Sequence, residues 1–140
     1  MAIRSFRIGT PRPRGEGLRV GAVRFLPRGV QKKDYARLDY FDVWLPLLSP
    51  SRKLFAWALK GAGLERDPEL FFARYAREMT ANTDARQTIA LLAALGRRTA
   101  IAVGCYCADE SRCHRSALLQ LLRAAEPGTR IIRGCRHAAG

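Results

Sequence analysis

The chain contains no apolar run that could cross a bilayer: the longest, Ile89–Leu95, is seven residues, where about 20 are required. Its basic N-terminus lacks the apolar core and cleavage site of a signal peptide, and a cytoplasmic protein is expected. Four cysteines in 140 residues are too few and too irregular for a disulfide framework and fit reduced thiols. The paired C-x2-C knuckles of common zinc domains are missing. The phosphatase loop, in which Cys and Arg flank five residues, is missing too: Cys107 reaches Arg112 after only four. Internal repeats and low-complexity segments are also absent.

Acidic residues are scarce as well. Twelve Asp and Glu stand against 25 Lys and Arg, leaving a net charge of +13. Ten of those cations and only two acids, Glu16 and Asp34, lie in residues 1–37. A segment that basic suits a phosphate-contacting arm, so a nucleic-acid-binding module is one reading. Because 21 of the 25 cations are arginine, a GC-rich coding bias accounts for the same excess without any binding role. Hydrophobic residues make up 48% of the chain, enough to fold as one domain over residues 1–140. Within it, 1–17 reads as a basic strand and loop, and 134–140 as a loose tail.

Residues 2–8 read as an edge strand and Leu18–Leu26 as a second strand, stopped by Pro27-Arg28-Gly29. Asp34–Leu45 has helical spacing, with Trp44 and later Trp57 expected in the core. Ser51 is placed to cap a short helix through Leu59, and Asp67-Pro68-Glu69 opens another that runs to about Met79. A further helix starts near Asn82 and ends at Gly96. Thr99–Gly104 is a short apolar strand, Cys113–Ala125 a helix with Ser111 as its cap, and Thr129–Arg133 a last strand. The expected fold is α/β, a partly parallel sheet of three to four strands packed with about five helices. The last two strands are expected to form a parallel pair joined by a right-handed crossover.

Chemistry concentrates between the Thr99–Gly104 strand and the following helix, in CYCADESRCHRSALL. The loop after a strand, at a helix N-terminus, is where open α/β sheets place sites. One reading is an anion or reactive-thiol site, with Cys113 as nucleophile and His114 as acid/base. Its anion-binding set is Arg24, Arg28, Arg115 and Ser116. On a helix, however, adjacent side chains diverge by about 100°, which sets Cys113 and His114 apart. A second reading is a zinc site on Cys105, Cys107, Cys113 and His114, with Cys135 and His137 as further ligand types. The third makes the thiols buried hydrophobes and gives His114 and Arg115 carbonyls to satisfy.

The same segment resembles the C-x-C…CHR signature of the YeaO-like proteins, also called DUF 488. RFLPRGVQKKD, DVWLPLLSPSRKLFAW and DPELFFARYAREM are similar to the family's other blocks, so the resemblance runs from Arg19 to Arg123. It implies a small cytoplasmic α/β protein without an assigned activity. It marks Arg24, Pro27, Arg28, Gly29, Trp44, Pro50 and Ser51, then Cys105, Cys113, His114 and Arg115. Val23 departs from the family's usual Asp, and Cys107 from a common acid. Taken together, these readings predict a pocket for a phosphorylated small molecule or nucleic acid where the Arg24–Arg28 segment meets Cys113-His114-Arg115. They imply no obligate cofactor and no membrane partner.

Overall fold

The computed structural model describes residues 1–60 and 63–133; the tail expected over 134–140, with Cys135 and His137, lies outside them. Five parallel strands form one sheet. They are β1 (Ala2–Arg7), β2 (Leu18–Gly21), β3 (Val43–Trp44), β4 (Ile101–Cys105) and β5 (Arg130–Ile132), in the order β3-β2-β4-β1-β5. The helices are α1 (Arg52–Leu59), α2 (Gly63–Arg66), α3 (Pro68–Ala81), α4 (Thr83–Leu95) and α5 (His114–Ala125). The α/β class and the five helices are as expected; the sheet has one strand more.

Strand alternation sorts the side chains by face. Ile3, Val20, Ile101 and Val103 join a core built with α1, α3, α4 and α5, among them Tyr75, Ile89, Leu118 and Leu122. The opposite face carries a smaller cluster in which Phe6 and Ala102 meet Tyr35 and Phe41. Residues 2–8 therefore do not form an edge. β1 pairs with β4 on one side (Ile3 opposite Ile101) and with β5 on the other (Ile3 opposite Ile131). β4 and β5 are correspondingly not paired with each other, since β1 lies between them.

The helix expected over Asp34–Leu45 is replaced by a single 3-10 turn, Lys32–Asp34, further turns and the edge strand β3. Tertiary contacts override the local spacing. Asp39 adopts φ +62, and its carbonyl accepts a hydrogen bond from the Arg19 guanidinium at 2.7 Å. Trp44 consequently sits on the sheet edge, 39% exposed, donating its indole N–H to the Val23 carbonyl at 2.6 Å. Trp57 is partly buried against the main core. The helix caps follow the sequence: the side chains of Ser51, Asp67 and Asn82 accept from the N–H groups of Leu54, Leu70 and Ala85.

Arg19 is the largest fully buried side chain. Its guanidinium meets the Glu16 carboxylate at 2.9 Å, donates to the Thr10 and Asp39 carbonyls, and lies 4.2 Å over the Phe6 ring. This pins the loop between β1 and β2 to the sheet. Gly17, in that loop at φ +89, passes so close to β4 that a β-carbon would fall 2.0 Å from the Ala100 carbonyl oxygen. No other residue fits there.

Candidate metal centre and cavity

In a parallel sheet all the carboxyl ends share one edge, and β2 and β4 end side by side there. Cys105 ends β4. Residues 106–113 then turn through a 3-10 segment, Glu110–Arg112, into α5. Asp109, not Ser111, accepts from a backbone N–H at the start of this turn, and Cys113 is the N-cap residue of α5. With φ −110 and ψ 144, Cys113 has extended backbone, which removes the divergence expected of two helical neighbours. Its Sγ lies 3.7 Å from Nδ1 of His114.

His114 is buried, its ring against that of Tyr75 at 5.3 Å between centroids. The Tyr75 hydroxyl donates to the Leu48 carbonyl at 2.7 Å, anchoring the ring beneath it. Nε2 of His114 lies 2.7 Å from the carbonyl oxygen of Ala22. A carbonyl only accepts, so Nε2 carries the proton and Nδ1 presents a lone pair to the thiols. Burial holds the imidazole down to about 4. The ring is neutral at physiological pH.

Two thiols, those of Cys105 and Cys113, sit by that lone pair. Ligand atoms of Cys105, Cys113 and His114 all lie within 4.8 Å of one another, and Cys107 Sγ is 3.8 Å from Cys105 Sγ. A hydrogen bond to Cys107 pushes the Cys105 thiol up to about 11, whereas burial raises Cys113 well above its usual range. The exposed Cys107 moves the other way, drawn far down by hydrogen bonds from Cys105 and Cys113.

The cluster forms the floor of a cavity of about 530 Å³. Its walls include Val23, Phe25, Phe55, Leu59 and Phe71, and the cations at its margin are Arg24, Arg52 and Arg112. Of the expected anion-binding set, Arg24 lines this space, with its guanidinium on the Pro50 carbonyl at 2.9 and 3.1 Å. Arg28 is exposed and is not among the lining residues. Arg115 is buried behind the loop and donates to the Cys107 carbonyl at 2.6 Å, while the Ser116 hydroxyl donates to the Cys113 carbonyl. Sequence reasoning missed the aromatic walls. Phe25 and Phe55 lie inside the RFLPRGVQKKD and DVWLPLLSPSRKLFAW blocks without being marked there, and only the fold brings them to the thiols.

Fold and floor together define a small all-parallel α/β domain with a thiol–imidazole cluster at its carboxyl edge. The chain belongs to the DUF488 family: the family model described as the active DUF488-N3 subclade matches residues 3–126. No curated protein and no solved structure matches it. Among the described residues no helix is long and apolar enough to cross a membrane.

Proposed function

We propose that the chain holds one zinc-class ion on Cys105, Cys107, Cys113 and His114, and that this centre is the reactive end of a small-molecule cavity. One observation carries the reading. A tetrahedral ion bonded at about 2.3 Å to sulfur and about 2.0–2.1 Å to nitrogen sets ligand separations of about 3.8 Å for S···S and about 3.6 Å for S···N. The Cys105–Cys107 and Cys113–His114 separations are 3.8 and 3.7 Å; Cys105, Cys113 and His114 form the mutually close set, and Cys107 would complete it by closing on the ion. Two further features agree. The Ala22 carbonyl fixes the histidine tautomer that leaves Nδ1 free to ligate, the usual outer support of a metal histidine. Three thiolates, a divalent ion and the buried guanidinium of Arg115 would sum to neutrality, which suits a dry site.

Three of the ligands are buried and Cys107 is exposed. Four protein ligands close such a site, the form of a structural centre; an ion gripped by the three buried ligands becomes reactive where the exposed Cys107 lets go and opens a fourth position toward the cavity. The family model's description as an active subclade favours that reading. The Cys113–His114 contact favours a second, metal-free reading, with Cys113 as nucleophile and His114 as its base.

Elemental analysis of freshly purified protein separates the two. The expected result is about one zinc per chain, lost in Cys113→Ser and in His114→Ala, with cobalt replacement giving thiolate-to-metal charge-transfer bands. Zinc should also shield Cys107 from iodoacetamide. Folded protein that takes up neither metal, and whose thiols alkylate alike with and without zinc, overturns the metal reading.

A further inference from the structure

The cavity's walls and its margin differ in kind. Phe25, Phe55 and Leu59 line it yet stay 56%, 45% and 63% exposed. Large apolar side chains left open around one concavity mark a surface awaiting a ligand. The charged residues lining the space are arginines only, with no carboxylate among them. Arg24 is committed to the Pro50 carbonyl. Arg52 lies 5.7 Å over the Phe25 ring, and Arg112, 56% exposed, makes a long contact, 3.9 Å, to Asp109. Both remain able to turn to an anion. The space, about 530 Å³, falls in the range of ordinary ligand pockets.

We infer that the occupant is a planar heteroaromatic ring joined to a phosphate, the ring between Phe25 and Phe55 and the phosphate on Arg52 and Arg112. Flat aromatic walls favour a ring that stacks over an aliphatic chain. Guanidinium groups favour phosphate, which they can grip with two parallel hydrogen bonds. Nucleotides combine these two parts, either free in solution or as an unpaired residue of a single strand. The chain's +13 charge favours polyanions as a source. This assignment rests on the metal reading only for the chemistry at the floor; the binding itself depends on the walls and margin.

Calorimetric titration tests it. The zinc content of each sample is measured, and the probes are the four ribonucleoside monophosphates, their unphosphorylated nucleosides and a short mixed-sequence single strand. Saturable binding is expected, weakened about tenfold in Phe55→Ala and in Phe25→Ala, whose exposed side chains are not needed for folding. Arg52→Ala and Arg112→Ala should weaken the monophosphates while leaving the nucleosides unchanged; Arg98→Ala, a control at the amino edge of β4, should change neither. A strand that binds far tighter than the mononucleotides, with steep salt dependence, assigns the ligand to nucleic acid; tighter mononucleotides assign it to free metabolites. Zinc-loaded protein that binds none of the probes, or binds them equally well in all four cavity variants, overturns the inference. Zinc-free protein that binds none of the probes likewise overturns it, whereas binding by protein that takes up no zinc leaves it standing and the metal reading is decided by metal uptake alone.

Discussion

His114 and Ala22 lie 92 positions apart in the chain, and their hydrogen bond, at 2.7 Å, ties the start of α5 to the end of β2. Both partners are buried. Removing the imidazole strands the Ala22 carbonyl without a donor and takes a ring away from Tyr75. His114→Ala should therefore destabilise the protein by about 1–3 kcal/mol from the carbonyl alone, with the lost packing in addition. Urea unfolding in the presence of a chelator measures this independently of any metal.

Arg19 and Glu16 make a second prediction. They are 0% and 2% exposed and joined at 2.9 Å. Arg19→Met leaves a carboxylate buried without its cation and should cost about 3–5 kcal/mol. Adding Glu16→Gln removes the stranded charge and should recover part of that loss. A double variant no more stable than Arg19→Met would show that the carbonyl contacts to Thr10 and Asp39, rather than the ion pair, hold the loop. Denaturation midpoints of the two variants decide.

Asp42 supplies a pH dependence. Two hydrogen bonds from Arg12, at 2.9 and 3.0 Å, together with the Arg19 N–H, hold its carboxyl below the usual range. A native value below the unfolded one means the stabilisation is complete above the unfolded value, about 3.9. It is lost as pH falls through the native value. Asp42→Asn should cost up to about 1 kcal/mol near neutrality, and its difference from the parent should vanish under strong acid. Urea titrations between neutral and strongly acidic pH would show the two curves converging.

Much of the architecture was legible because its signals are local. Ser51, Asp67-Pro68 and Asn82 announce helix starts through hydrogen bonds that reach only three residues ahead, and the apolar run of β4 announces a buried strand. The segment from Asp34 to Leu45 was misread because its fate is decided elsewhere. Arg19 takes the Asp39 carbonyl, and the aromatic rings of Tyr35 and Phe41 are wanted on the sheet. The cysteines and His114 were legible as a group, but the C-x-C…C-H spacing did not disclose their geometry. That depended on Cys113 being an extended cap residue rather than the first turn of α5. Phe25 and Phe55 lie inside the family-like blocks, yet nothing in those blocks marks them as cavity wall. An aromatic on a helix or loop looks the same in sequence whether it faces a core or a cavity.

The position of β4, between β1 and β2 in the sheet, has a consequence for synthesis on the ribosome. The first two strands emerge early and cannot hydrogen-bond to each other, because their shared neighbour is still untranslated. β2 can pair early only with the two-residue β3; the backbone of β1, the other edge of β2 and the apolar faces of Ile3 and Val20 wait for Ile101–Cys105. Closure of the sheet's centre and the gathering of the thiols are thus one late event, and a nascent chain stalled before Ile101 is exposed to aggregation through unpaired strand edges.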